Sequence, residues 1–264
     1  MQIEPRVIPV LLIADGRFVK TRRFSDPVYV GDPVNVLSIF NEFVVDEIII
    51  LDITAAKSRL PQPLDLLQHY AEECFIPLAY GGGLASVEQI RGVFHAGYEK
   101  AIVNSLLSDQ PSVVESAANT YGSQAIVASI DVRGGRDHYK VVIHGNRDVV
   151  ADSPAGWARR AVDLGVGEIL VTSVDREGTG TGFDLELVAE VAEAVSVPVI
   201  AHGGAGRRAE LAHPVLESGA SAVAAGSLFV FQGQERGVLI NYPPRPEIER
   251  LFRATNDPTL EPRA

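Results

Sequence analysis

The sequence predicts a single α/β domain, a closed (β/α)8 TIM barrel assembled from two half-barrel repeats, and three observations carry that expectation. First, eight short apolar runs without polar alternation are separated by stretches of helical periodicity. That is the pattern of parallel strands buried on both faces beneath a layer of helices. Second, a glycine-rich turn follows the third run at Gly81-Gly82-Gly83 and the seventh at Gly203-Gly204-Ala205-Gly206, about 120 residues later. Third, 264 residues with 46% hydrophobic side chains can fill one large core, and barrels of about 250 residues occur as one domain. The same offset lays Gly31-Asp32-Pro33 over Asp152-Ser153-Pro154, Asp52 over Asp175 and Asn104-Ser105 over Gly226-Ser227. A repeat this long corresponds to four βα units. An open doubly wound sheet would place its glycine turn after the first strand, with a carboxylate about 20 residues on.

The first strand is read at 7–13, ending in the turn Asp15-Gly16-Arg17. A long loop then runs to Gly31-Asp32-Pro33, where Asp32 can cap a helix whose first residue is proline. That helix is placed at 34–43. Strands two to five fall at 48–53, 76–80, 100–104 and 125–131, and strands six to eight at 169–174, 197–201 and 221–225. Helical patterns at 86–96, 111–121, 154–164, 184–195 and 207–218 fill the gaps, with Trp157 as a packing residue. Arg133-Gly134-Gly135-Arg136-Asp137 is too polar for a strand and is read as the exposed loop after the fifth, where two arginines could attract phosphate. The barrel is assigned residues 1–242. The tail, 243–264, is proline-rich with mixed charge and is expected to be partly disordered.

A net charge of −11, with no run of five or more Lys and Arg, excludes nucleic acid as a partner. A phosphate-bearing small molecule is still admissible, because it needs only local donors. Cys74 is the single cysteine, so neither an internal disulfide nor a thiolate metal cluster can form. The six histidines are scattered without the close pairing of a metal helix. No metal and no cofactor are expected. The start lacks a signal pattern, and no run of eighteen apolar residues occurs, so the expectation is a soluble, cytoplasmic protein without a membrane span.

Glycine-rich strand ends bring backbone N–H groups close to a ligand, and a following helix favours an anion there. Two such turns, half a barrel apart, suit a ligand with a phosphate at each end. Functional groups of this fold sit where the strands end.

The spacing of Ile8-Pro9, Gly31-Asp32-Pro33, Leu51-Asp52-Ile53-Thr54, Phe75-Ile76-Pro77, Gly81-Gly82-Gly83, Gly122-Ser123-Gln124, Gly167-Glu168-Ile169-Leu170, Asp175-Arg176-Glu177-Gly178-Thr179 and Gly203-Gly204-Ala205-Gly206 resembles the cyclase subunit of imidazole glycerol phosphate synthase, over residues 6 to about 232. That family is a (β/α)8 barrel that takes ammonia from a separate glutaminase subunit and uses it to cleave and cyclise a ribulose phosphate. The resemblance implies one phosphate site at Gly83, Asn104 and Ser105 and a second at Gly204, Gly226 and Ser227, with Gly178 nearby. It also implies ligand contacts at Lys20 and Asp52. At the starts of four strands, Arg6, Glu47, Lys100 and Glu168 match the family's ring of alternating charge through which ammonia enters.

The family's chemistry needs two facing carboxylates, on strands one and five, as a matched acid and base. Asp131 matches one. Leu12 stands where the other belongs, and Asp15, three residues on, lies about 10 Å along a strand. The chain looks like the divergent paralogues found in surface-polysaccharide gene clusters, which share Ile-Pro-x-Leu-Leu, Tyr29-Val30-Gly31-Asp32-Pro33, Glu73-Cys74-Phe75 and Ala224-Ala225-Gly226-Ser227-Leu228-Phe229-Val230-Phe231. In that branch the barrel is thought to pass ammonia to a third, sugar-amidating subunit that acts on an acetamido sugar. The chain departs from the branch at Val10 and at His202. His202 could bind an anion or shuttle a proton, or it could fill space and cap a loop. Three function classes are therefore carried forward: a barrel subunit of a glutamine-dependent amidotransferase, a true cyclase of histidine biosynthesis, and a phosphate-binding scaffold without catalysis.

Overall fold

The computed structural model describes residues 5–58, 63–233 and 236–253. One sheet contains β1 (Arg6–Ala14), β2 (Arg17–Arg22), β3 (Ser25–Gly31), β4 (Ile48–Asp52), β5 (Leu78–Gly81), β6 (Lys100–Val103), β7 (Ile126–Arg133), β8 (Lys140–Ile143), β9 (Asp148–Ala151), β10 (Glu168–Ser173), β11 (Val199–His202) and β12 (Ala222–Ala225). Eight of these pair in parallel in the closed order β1-β4-β5-β6-β7-β10-β11-β12, with β12 returning to β1. Stepping round the pairings from Arg6 through Ala222, Ile200, Leu170 and Ser129, and on through β6, β5 and β4, returns to Ala14. That stagger of eight residues is the shear of this barrel class.

The expected barrel is therefore present, and its strands form for the expected reason. Val7, Ile13, Ile48, Ile50, Tyr80 and Val223 pack outward against the helices, while Ile8, Val10, Leu12, Ile49, Ile102, Leu170 and Ile200 fill the interior. Both faces are apolar, so the runs carry no polar alternation. The helix Pro33–Asn41 begins at Asp32, whose carboxylate accepts the Val34 N–H at 3.1 Å. Trp157 is 7% exposed and packs in the core as expected.

Three segments depart from the sequence reading. The long loop after the first strand is an antiparallel excursion, β2 and β3, opened by the two-residue turn Asp15-Gly16 with both residues at positive φ. Asp-Gly is a strong hairpin signal; it is masked here because β2 mixes charged with apolar residues and β3 is largely exposed. The loop after β7 likewise returns as the hairpin β8–β9, so polarity ends the barrel strand at Arg133 without ending sheet structure. The tail, expected to be partly disordered from residue 243, forms the helix Arg245–Arg253, while 254–264 lie outside the described residues. Burial of Ile248, an Arg245–Asp46 pair at 2.8 Å and the Arg208–Glu247 pair at 2.9 Å hold that helix to the barrel. Tyr242 donates its hydroxyl to the Val7 carbonyl at 2.8 Å just before it.

Candidate functional site

Strand geometry alone places the key residues. β7 lies diametrically opposite β1 in the closed order, and with a stagger of eight the horizontal level climbs one residue per strand. Leu12 pairs with Leu51, which leads through Gly81 and Ile102 to Val127. Four residues further, Asp131 stands level with Leu12 across the mouth. Leu12 is 6% exposed and packs with Val10, Ile49, Val19, Leu51 and Ile53, so that side of the mouth is apolar. The opposite side carries Ser129, Asp131, Thr172 and His202.

Asp131 accepts from Asn104 Nδ2 at 3.1 Å and from Ser129 Oγ at 3.3 Å. Burial pushes its carboxyl up to about 7, against the smaller opposing effect of those two hydrogen bonds. Because the folded state holds the proton more tightly, the stabilising contribution is complete below the unfolded value near 4 and is lost as pH rises through about 7. Asp131→Asn is thus expected to leave stability unchanged at pH 4 and raise it at pH 8, on the order of 1–2 kcal/mol with allowance for solvent screening. Paired denaturant titrations at the two pH values measure this.

The residues of the second glycine turn converge. Lys20, Gly178, His202, Gly204, Gly226 and Ser227 line one hollow at the ends of β11 and β12. Gly204 has φ +111°, and a side chain there would collide with the Gly182 carbonyl, so only glycine permits the approach. At Gly178, φ +70°, a side chain would likewise collide with the Thr21 carbonyl of β2. Glu177 secures that contact: 1% exposed, it pairs with Lys20 and accepts from Thr21 Oγ1 at 3.2 Å and the Phe24 N–H at 3.1 Å. Burial, reinforced by the charge of Arg236, lowers the Lys20 ammonium to about 7, and Glu177 supplies its counter-charge. His202 Nδ1 lies 3.1 Å from Thr172 Oγ1, and burial together with the nearby Lys20 holds the imidazole down to about 3, so it stays neutral.

The first glycine turn gathers less. Gly83 is at φ +67°, but Asn104 turns inward to Asp131 and to the Ser129 carbonyl at 3.0 Å, and Ser105 makes no capping hydrogen bond to the short helix Leu106–Asp109. Asp52 Oδ1 accepts the N–H groups of Thr54 and Ala55 at 2.9 and 2.7 Å and so shapes the turn after β4. Asp15 sits at the hairpin tip, its N–H donating to Thr54 Oγ1 at 3.1 Å, and it does not enter the barrel beside Leu12.

At the other end, all four charged strand-start residues meet. Arg6 pairs with Glu47 and Glu168, and Lys100 Nζ lies 2.9 Å from Glu47 and 2.7 Å from Glu168. Both carboxylates are 5% exposed, and Glu47 Oε1 has no hydrogen-bond partner. The sequence reading gave no role to Glu177, Ser129, Thr172 or Arg236. Glu177 adjoins Gly178 and Ser129 shares a strand face with Asp131, which are usable signals; Arg236, in a polar stretch, offers none. Among the described residues no group of His, Cys, Asp and Glu is arranged to hold a metal ion, and no helix is long and apolar enough to cross a membrane.

Fold and site together define a (β/α)8 barrel with a closed charge ring at the strand starts and a glycine-shaped hollow at the ends of β11 and β12. The family described as histidine biosynthesis protein matches residues 6–235, and the chain belongs to that family. It is HisF-like within it. A relative from Pseudomonas aeruginosa, provisionally named imidazole glycerol phosphate synthase subunit hisF2, is 45% identical over 91% of this chain and 96% of its own. The imidazole glycerol phosphate synthase subunit HisF of Alkaliphilus metalliredigens is 42% identical over 86% of this chain and 90% of its own. A provisionally named HisF of Leptospira interrogans is 40% identical over 95% and 99% respectively.

Proposed function

We propose that this chain is the barrel subunit of a glutamine-dependent amidotransferase. It receives ammonia from a glutaminase at the base of the barrel and delivers it to a third subunit that amidates an acetamido sugar in surface-polysaccharide synthesis. The observation that carries this reading is the combination of Leu12 level with Asp131 and an intact charge ring below. A leucine supplies no proton to a closing ring, so cyclisation loses one of its two acid–base partners. Meanwhile two carboxylates and two cations remain tightly paired at the base, an arrangement that packed apolar residues would commonly replace without loss of stability. In this reading Arg6, Glu47, Lys100 and Glu168 form the ammonia entrance. A docking face fits there: Phe75 is 87% exposed and Val44 70% exposed just before β5 and β4, beside a hollow lined by Phe94, Glu99, Lys100 and Tyr121. The mouth, with Gly83, Asn104 and Ser105 on one side and Gly204, Gly226 and Ser227 on the other, holds phosphate in a ligand-binding role, with Lys20 and Asp52 as flanking groups.

A genuine cyclase is the second reading. It is favoured by Asp131, whose carboxyl near 7 suits a general acid or base, and by the names of the relatives. The test is to supply purified protein with the family's ribulose phosphate substrate and ammonium salt and to look for imidazole glycerol phosphate. The expected result is no product, together with stimulated glutamine hydrolysis when a class-one glutaminase from the same gene neighbourhood is added. Product at the rate of an authentic cyclase sinks the first reading and establishes the second.

A further inference from the structure

His202 forms the floor of the hollow at Gly204 and Ser227, and Arg236 leans over its rim. Arg236 stands in the turn between β13 (Phe231–Gln232) and β14 (Gly237–Val238), a small antiparallel hairpin that follows the last barrel strand. Its Nη1 donates to the Gly178 carbonyl at 3.1 Å, and its Nη2 lies 3.5 Å from Ser227 Oγ. The guanidinium carbon sits 4.7 Å from the centroid of the Phe231 ring, which fixes the plane of the fork. Gly178 and Ser227 both line the hollow, so the fork is anchored on its edge. The Ser227 contact is at the limit of a hydrogen bond and leaves N–H groups free to turn toward an occupant.

His202 is 6% exposed and lines the same hollow. Its Nδ1 is engaged with Thr172, and its Nε2 has no hydrogen-bond partner among the described residues. A neutral imidazole carries one N–H. A Thr172 hydroxyl that donates to Nδ1 puts that proton on Nε2, facing the hollow. The low basicity of this imidazole makes it a poor proton shuttle and a steady donor. A strongly acidic chain thus concentrates Lys20, Arg236, a neutral N–H donor and the Ser227 hydroxyl on one small concavity.

We propose that His202 and Arg236 are ligands of a phosphate monoester seated in this hollow, the imidazole donating through Nε2 from the floor and the guanidinium closing from the rim. The assignment rests on the reading of the Gly204 and Ser227 turns as an anion cup. Lys20 is already paired with Glu177, so the charge that meets a phosphate here comes from Arg236, whose fork, anchored on the rim, covers the phosphate while the ester chain leaves along the mouth toward Asp131.

The test follows backbone amides of Gly204 and Ser227 by NMR during titration of the intact protein with inorganic phosphate and with glycerol 3-phosphate. Glycerol 3-phosphate is expected to bind at least as tightly as inorganic phosphate. His202→Ala and Arg236→Ala are each expected to weaken it roughly tenfold while leaving shifts at the Gly83 and Ser105 amides unchanged. Arg236→Lys should recover only part of the loss, because an ammonium lacks the fork, and His202→Gln, which restores an N–H donor, should recover part of the other. The ring-nitrogen spectrum of His202, assigned by loss in His202→Ala, should show a neutral imidazole protonated at Nε2. Undiminished binding in both alanine variants, or a proton on Nδ1, overturns the role of these side chains while the cup itself stands. A wild-type protein whose Gly204 and Ser227 amides do not respond removes the cup and this inference together. Binding of inorganic phosphate but not of the ester overturns the monoester assignment.

Discussion

On the proposed function, Leu12→Asp is expected to raise cyclase turnover above that of the wild type, and to cost about 3 kcal/mol of stability. Both effects come from one position. Leu12 stands level with Asp131 on the opposite strand, so a carboxylate there restores a facing pair across the mouth. General acid–base assistance is worth roughly a hundredfold or more, enough to lift product above background. The cost arises because the site is 6% exposed and walled by Val19, Leu51 and Ile53; none of these can hydrogen-bond a carboxylate. The measurement pairs a product assay, with the family's ribulose phosphate substrate and ammonium salt, with a denaturant titration of the same preparation. A variant that folds, still binds phosphate and still forms no product shows that Leu12 is not what silences the chemistry. A variant as stable as the wild type shows that the apolar wall is less closed than the packing indicates.

How much of this site is legible in the sequence depends on which face each residue presents. The barrel strands are legible because Ile48, Ile49 and Ile50, or Ile200 and Ala201, are apolar on consecutive positions, and only strands buried on both sides tolerate that. The charge ring is legible for the complementary reason, since Arg6, Lys100 and Glu168 are the charged residues that open such runs. Strands β2 and β3 are not legible in the same way. Ser25, Asp26 and Tyr29 are exposed, and Lys20 and Thr21 are buried only because Glu177, more than 150 residues away, meets them. Local pattern carries no trace of such a partner. Asn104 teaches a related lesson: it stands at the strand end where the sequence places it, but its side chain orients Asp131. The role of His202 is decided by what occupies the adjacent strand, Thr172 on β10, and by a residue on a hairpin beyond the barrel, Arg236.

The charge ring yields the other large effect. Lys100→Ala is expected to lower stability by about 3 kcal/mol, a fall in Tm of roughly 6–12 °C for a chain of this size, and to make ammonia escape to solvent when the protein is coupled to the glutaminase proposed as its partner. Lys100 Nζ reaches both Glu47 and Glu168, each 5% exposed, and Glu47 Oε1 already has no partner. Without Lys100, two nearly buried carboxylates share Arg6 alone, which leaves one charge uncompensated. Neutralising a carboxylate in the same background should therefore help: Lys100→Ala with Glu168→Gln is expected to recover at least about 1 kcal/mol of the loss, a coupling that a double-mutant cycle isolates. Purely additive losses would mean that the four charges are solvated independently and form no closed ring. Ammonia retention separates structure from transport. If the double variant regains stability but still leaks ammonia during glutamine hydrolysis, the ring acts as an entrance; if retention returns together with stability, it is a structural clasp at the barrel base.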